Sequence, residues 1–161
     1  MTSYTTHTET DPIDRVVPAI VCDVRGALGF TFPNLPTLLI RPHDGLRTDV
    51  LYTHDDLVLY HPDQMESLRA RGGATALYLR AYSVVLVHVM RHLGTTPTNP
   101  ADLNAATWAA AGFLMRDTDS ARLTSAIMAM QFDPVTLDHV LHGVHYTSLK
   151  QALAHTAEGT R

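Results

Sequence analysis

At 161 residues with 45% hydrophobic content, the chain is long enough for one domain with a sizeable core and too short for two ordinary ones. Its formal charge of −4 has no basic block behind it: 11 of the 12 cations are arginines spread singly from Arg15 to Arg161, with Lys150 the one lysine. That argues against a nucleic-acid footprint, where cations cluster on one face.

Residues 1–9, "MTSYTTHTE", are polar and without periodicity and read as a disordered lead-in to a single domain over 10–156, with 157–161 as a C-terminal tail. In "TDPIDRVVPAIVCDVRG", Ile13, Val16, Val17, Ile20, Val21 and Val24 fall on one helical face behind a Thr10 or Asp11 cap, with Pro12 in the first turn. Pro18 counts against that helix and keeps a strand open as the alternative. From 25 to 61 the texture changes. After the turn-rich "GALGFTFPNLP" come three short β-type runs at 37–42, 48–53 and 57–62, separated by "HDGLR" and "HDD", which predict a small antiparallel meander.

Beyond Pro62 the period is helical. "PDQMESLRAR" is a short helix, Gly72-Gly73 a break, and "ATALYLRAYSVVLVHVMRHL" a helix apolar nearly all round and so buried on most sides. After the loop "GTTPTNP" the pattern predicts helices in "ADLNAATWAAAGFLMRD", "DSARLTSAIMAMQF" and "DPVTLDHVLHG", the last capped by Asp133 with Pro134 at its first position, and a final one from Thr147 to about Ala154. The expected class is α+β: a three-stranded antiparallel meander followed by a helix-dominated bundle. No 18-residue uncharged apolar run and no secretory leader is seen, and Cys22 is the single cysteine, so a cytoplasmic protein without a membrane span or an intrachain disulfide is expected.

The buried helix carries His88 and His92, four residues apart, so their side chains stack on one face about 5–6 Å apart at Cβ, close enough to share a metal ion. The bland reading is that His88 packs as a neutral core side chain while Arg91 and His92 sit in solvent at the helix end. His139, His142 and His145 stand at i, i+3 and i+6, but the outer two lie about 120° apart round a helix. They read as a solvated or half-buried face, with a second metal site or a pH-sensitive contact as the lesser alternative. His54, Asp55 and Asp56 read as a hairpin turn. Ser83, Ser125 and Cys22 lack the context of a covalent nucleophile.

The order of these segments resembles the ImmA/IrrE-type zincin-like metallopeptidases of bacteria and phages. "LVLYHPDQ" resembles the strand and turn before that family's active helix, and "VLVHVMRHL" stands in the place of its His-Glu-x-x-His helix. "DLNAATWAAAGFLMR" is similar to the second helix, with Asp102 at the third ligand and Trp108 as its aromatic, and "ARLTSAIMAMQFDPVTLDHVL" to the closing segment. The resemblance covers about 50–143 and implies a zinc site of His88, His92 and Asp102. It departs from the family at the general base, where Val89 replaces glutamate and cannot accept a proton, and at Arg91, which brings a positive charge beside a cation site. The implied function is a catalytically inactive zincin-like domain, with no catalytic residues, that binds a protein or peptide partner in the cleft between meander and buried helix. An active zinc metallopeptidase with an altered base, and an unrelated α+β interaction protein of phages or mobile elements, are the alternatives.

Overall fold

The structure, a computed structural model, describes residues 10–43, 51–54 and 56–159. The expected lead-in at 1–9, most of the "HDGLR" turn, Asp55 and residues 160–161 lie outside the described residues.

Helix α1 (Ile13–Gly29) buries Val16, Val17, Ile20, Val21, Val24 and Leu28, which is the face the 3.6-residue period marks out. The strand alternative is excluded. Neither Thr10 nor Asp11 caps it; the Pro12 carbonyl instead accepts from Arg15 N–H at 2.9 Å and Val16 N–H at 3.1 Å. Pro18 is accommodated inside the helix at the cost of one backbone donor. Two phenol–carboxylate hydrogen bonds fasten α1 to the rest, Tyr60 to Asp14 at 2.8 Å and Tyr78 to Asp23 at 3.0 Å.

The expected α+β architecture with an antiparallel meander is not what the chain adopts. Strands β1 (Leu39–Pro42), β2 (Leu51–His54) and β3 (Leu57–Tyr60) form a mixed sheet in the order β1-β3-β2, with β1 parallel and β2 antiparallel to β3. The tight turn after β2 does make the expected hairpin. β1, however, lies along the other side of β3, joined through Leu39 N–H to Asp56 O at 2.9 Å and His43 N–H to Tyr60 O at 2.8 Å. Burial decides the order. β3, with Val58 and Tyr60 wholly inside, takes the centre, while the largely exposed β1, which ends in Pro42 and so lacks a donor there, suits an edge.

The remainder is helical. α2 (Pro62–Leu93) joins the two segments expected on either side of Gly72-Gly73 into one kinked helix, Gly73 turning at φ 70° and ψ −170°. Gly72 lets the helix at Ser120–Ala129 approach: a Cβ there would lie 2.8 Å from Ala129 Cβ. α3 (Pro100–Leu114), α4 (Ser120–Ala129) and α5 (Pro134–Gly143) begin at caps from Asn99, Asp119 and Asp133, and α6 (Leu149–Gly159) runs three residues into the segment read as a tail. α2 is the centre, packed by α1, α3, α4 and β2, while α5 and α6 pack on α3. Its most apolar window, long and greasy enough to cross a membrane, is 83% buried by these neighbours, as befits a core helix.

Candidate functional site

The i, i+4 geometry of the histidine pair is present. The His88 and His92 rings stack with centroids 6.4 Å apart and planes at 22°. His88 is 3% exposed and His92 is open to solvent. Asp56 in the β2–β3 turn approaches His88, its Oδ1 4.0 Å from Nδ1. That is beyond ordinary hydrogen-bond length.

Asp102 is not brought to the pair. α3 turns Leu103 and Thr107 toward α2, where they line a small polar cavity with Ser83 and Val87, whereas Asp102 lines a different cavity with Asp133, Thr136 and His139 on the α5 side. One residue is 100° of helix, enough to send the carboxylate round to the other neighbour. Among the described residues no group of three His, Cys, Asp or Glu side chains is placed to hold a metal ion.

Arg91, which sits awkwardly beside a cation site, has a different task. Its Nη1 donates to Thr53 O at 3.2 Å, and Arg80, three turns earlier, donates from Nη2 to Leu51 O at 2.6 Å. Both carbonyls belong to the edge strand β2, so the two guanidinium groups satisfy the side of β2 that β3 does not. Arg80 also lies over the Trp108 ring, 5.4 Å from its centroid. The space expected as a cleft between sheet and buried helix is a cavity of about 290 Å³ that both arginines line, together with Leu51 and Thr53 of β2.

The histidines of α5 assemble in a way their own spacing does not reveal. His145 is exposed, and the third member of the group is His155 from α6. His139 Nδ1 meets His155 Nε2 at 2.5 Å, Tyr146 Oη makes a short hydrogen bond to His155 Nδ1, and His142 stacks on Tyr146 with centroids 5.2 Å apart. With one phenol proton and one imidazole proton, this chain can run from Tyr146 through His155 to His139, tying α6 to α5.

The best-formed apolar concavity lies elsewhere. Phe32 after α1, Val89, Met90 and Leu93 on the last turns of α2, and Leu149 and Leu153 on α6 enclose a cavity of about 410 Å³. Among the described residues Thr31, Thr95 and Lys150 are its only polar or charged lining residues. Val89, in the place of the zincin glutamate, is wholly buried at its floor. Sequence reasoning missed this site, although Leu149 and Leu153 at i, i+4 beside the one lysine are a visible signal in "SLKQALAH". No family model, no curated protein and no solved structure matches the chain.

Proposed function

We propose that the chain is a non-catalytic binding domain and that the cavity between the connection after α1, the end of α2 and α6 is its site. The observation that carries this reading is a cavity walled by apolar side chains from three separate elements, of about 410 Å³. That volume falls within the ~300–1,000 Å³ of small-molecule sites and exceeds what one anchoring peptide side chain fills, which favours a small ligand over the expected protein or peptide partner. Among the described residues no histidine, cysteine or carboxylate lines it, so these walls offer no general acid, base or nucleophile of the usual kinds. A cytoplasmic setting is part of the same proposal, supported by the exposed free thiol of Cys22.

The test is titration with the neutral fluorophore N-phenyl-1-naphthylamine. Saturable uptake of about one probe per chain is expected, and it should vanish in Ala154→Trp, which projects an indole from an exposed wall position with little effect on the thermal midpoint. Elemental analysis runs beside it. Failure to take up the probe, together with stoichiometric zinc that disappears in His88→Ala, would replace this reading with the metal site of the zincin resemblance.

A further inference from the structure

We infer that the ligand of this cavity is a free, single-chain organic acid, its aliphatic body on Val89 and Met90 and its one negative charge at Lys150. The inference rests on the binding reading above and adds the chemistry of the occupant. Depth orders the site. Val89 and Met90, at 0% and 6% exposure, form the floor, while Lys150 and Leu93 are exposed at the lip. An occupant must therefore be apolar at its inner end, and it meets charge only at the outer one.

The sign of that charge follows from the lining. Among the described residues Lys150 is the only charged side chain there, and none of them brings a carboxylate to the cavity. Among the described residues Lys150 makes no ion pair and no hydrogen bond. It is also the single lysine of a chain whose other eleven cations are arginines. A lone ammonium on a flexible four-carbon stem suits a monoanionic head that keeps part of its water; a nucleotide polyphosphate calls for several cations, which the lining lacks. A cationic amphiphile would face repulsion at the same lip. Thr31 and Thr95 add hydroxyls, of which Thr95 already donates to Met90 O at 3.4 Å.

Displacement of N-phenyl-1-naphthylamine from the full chain reads out the ligand class. Decanoate should compete better than decanol and much better than decylammonium. From octanoate upward each methylene should tighten binding about fourfold, until the cavity is full. Lys150→Gln should weaken decanoate about fivefold, the scale of one solvent-exposed ion pair, and leave decanol unchanged, while Lys150→Arg should retain decanoate. Probe uptake without headgroup preference, or with Lys150→Gln silent, overturns the acid while the binding reading stands; no probe uptake at all removes both. Co-sedimentation with phosphatidylglycerol vesicles that exceeds decanoate binding would assign the lip to a lipid surface and overturn the free acid.

Discussion

Valine at position 89 makes physical sense once its surroundings are known, because an ionised glutamate there would stand desolvated on the floor of an apolar cavity without a partner. Position 91 reads the same way: its guanidinium is held by a strand carbonyl at 3.2 Å, so its charge serves the sheet. Tyr60 offers a measurable case of the same local logic. It is 1% exposed, donates to Asp14 at 2.8 Å, and its pKa is raised well above 10.0 by burial first and by the Asp14 hydrogen bond and charge second. A raised folded pKa means that the unfolded chain loses this proton first. The stabilisation is therefore complete below about pH 10 and drains away as pH rises toward the folded value. Tyr60→Phe is expected to cost about 0.5–1.5 kcal/mol at neutral pH and to flatten the alkaline decline relative to the parent chain. Urea midpoints for both proteins from pH 7 to 11 check this, and parallel curves would show that the Tyr60 proton is not linked to folding.

Among the elements, the helices were legible because their burial is periodic in the chain itself. The α1 face and the Asp133 cap on α5, which accepts from Thr136 N–H at 2.9 Å, both follow from local spacing. Sheet order was not legible, since three four-residue strands carry no local mark of which edge of β3 each will occupy; tertiary burial chose it. The histidine group failed for a related reason. His155 lies 16 residues from His139 on another helix, and only the packing of α6 joins them. That packing depends on how closely α5 approaches α3. At Gly143 an added Cβ would stand 1.9 Å from Ala109 O, a backbone atom that cannot swing aside, whereas at Gly26 on α1 nothing lies within 4 Å. Gly143→Ala is therefore expected to destabilise by about 1–3 kcal/mol through forced separation of the helices. Gly26→Ala should stabilise by about 0.5–1 kcal/mol through helix propensity alone. Chemical denaturation of the pair checks the opposite signs, and equal shifts would mean that the α3–α5 contact is looser than it stands.

At the scale of the whole molecule the ligand cavity is non-local, its walls drawn from residues 31–32, 89–95 and 149–154, and this is why no contiguous motif announced it. The i, i+4 spacing within α2 was enough to foresee the stacked pair His88 and His92; the place the zincin resemblance gave Asp102 depended on helix rotation within the assembled bundle, which spacing in one segment does not determine. The same non-locality gives binding a global consequence. A ligand that touches the connection after α1, the end of α2 and the start of α6 binds the folded chain and has no counterpart in the unfolded one, so occupancy stabilises the entire fold by mass action. Decanoate at a hundredfold excess over its Kd should add about 2.7 kcal/mol. For a chain of 161 residues that corresponds to a rise in thermal midpoint of about 5–10 °C. Hydrogen exchange should slow most in α6 and around Thr31 and Phe32, which the ligand would touch at the periphery of the fold, and least in α2, already the most deeply packed helix. A midpoint that rises equally in Ala154→Trp would place the stabilising contact outside this cavity, since that variant has no room for the acid yet keeps every other surface of the chain.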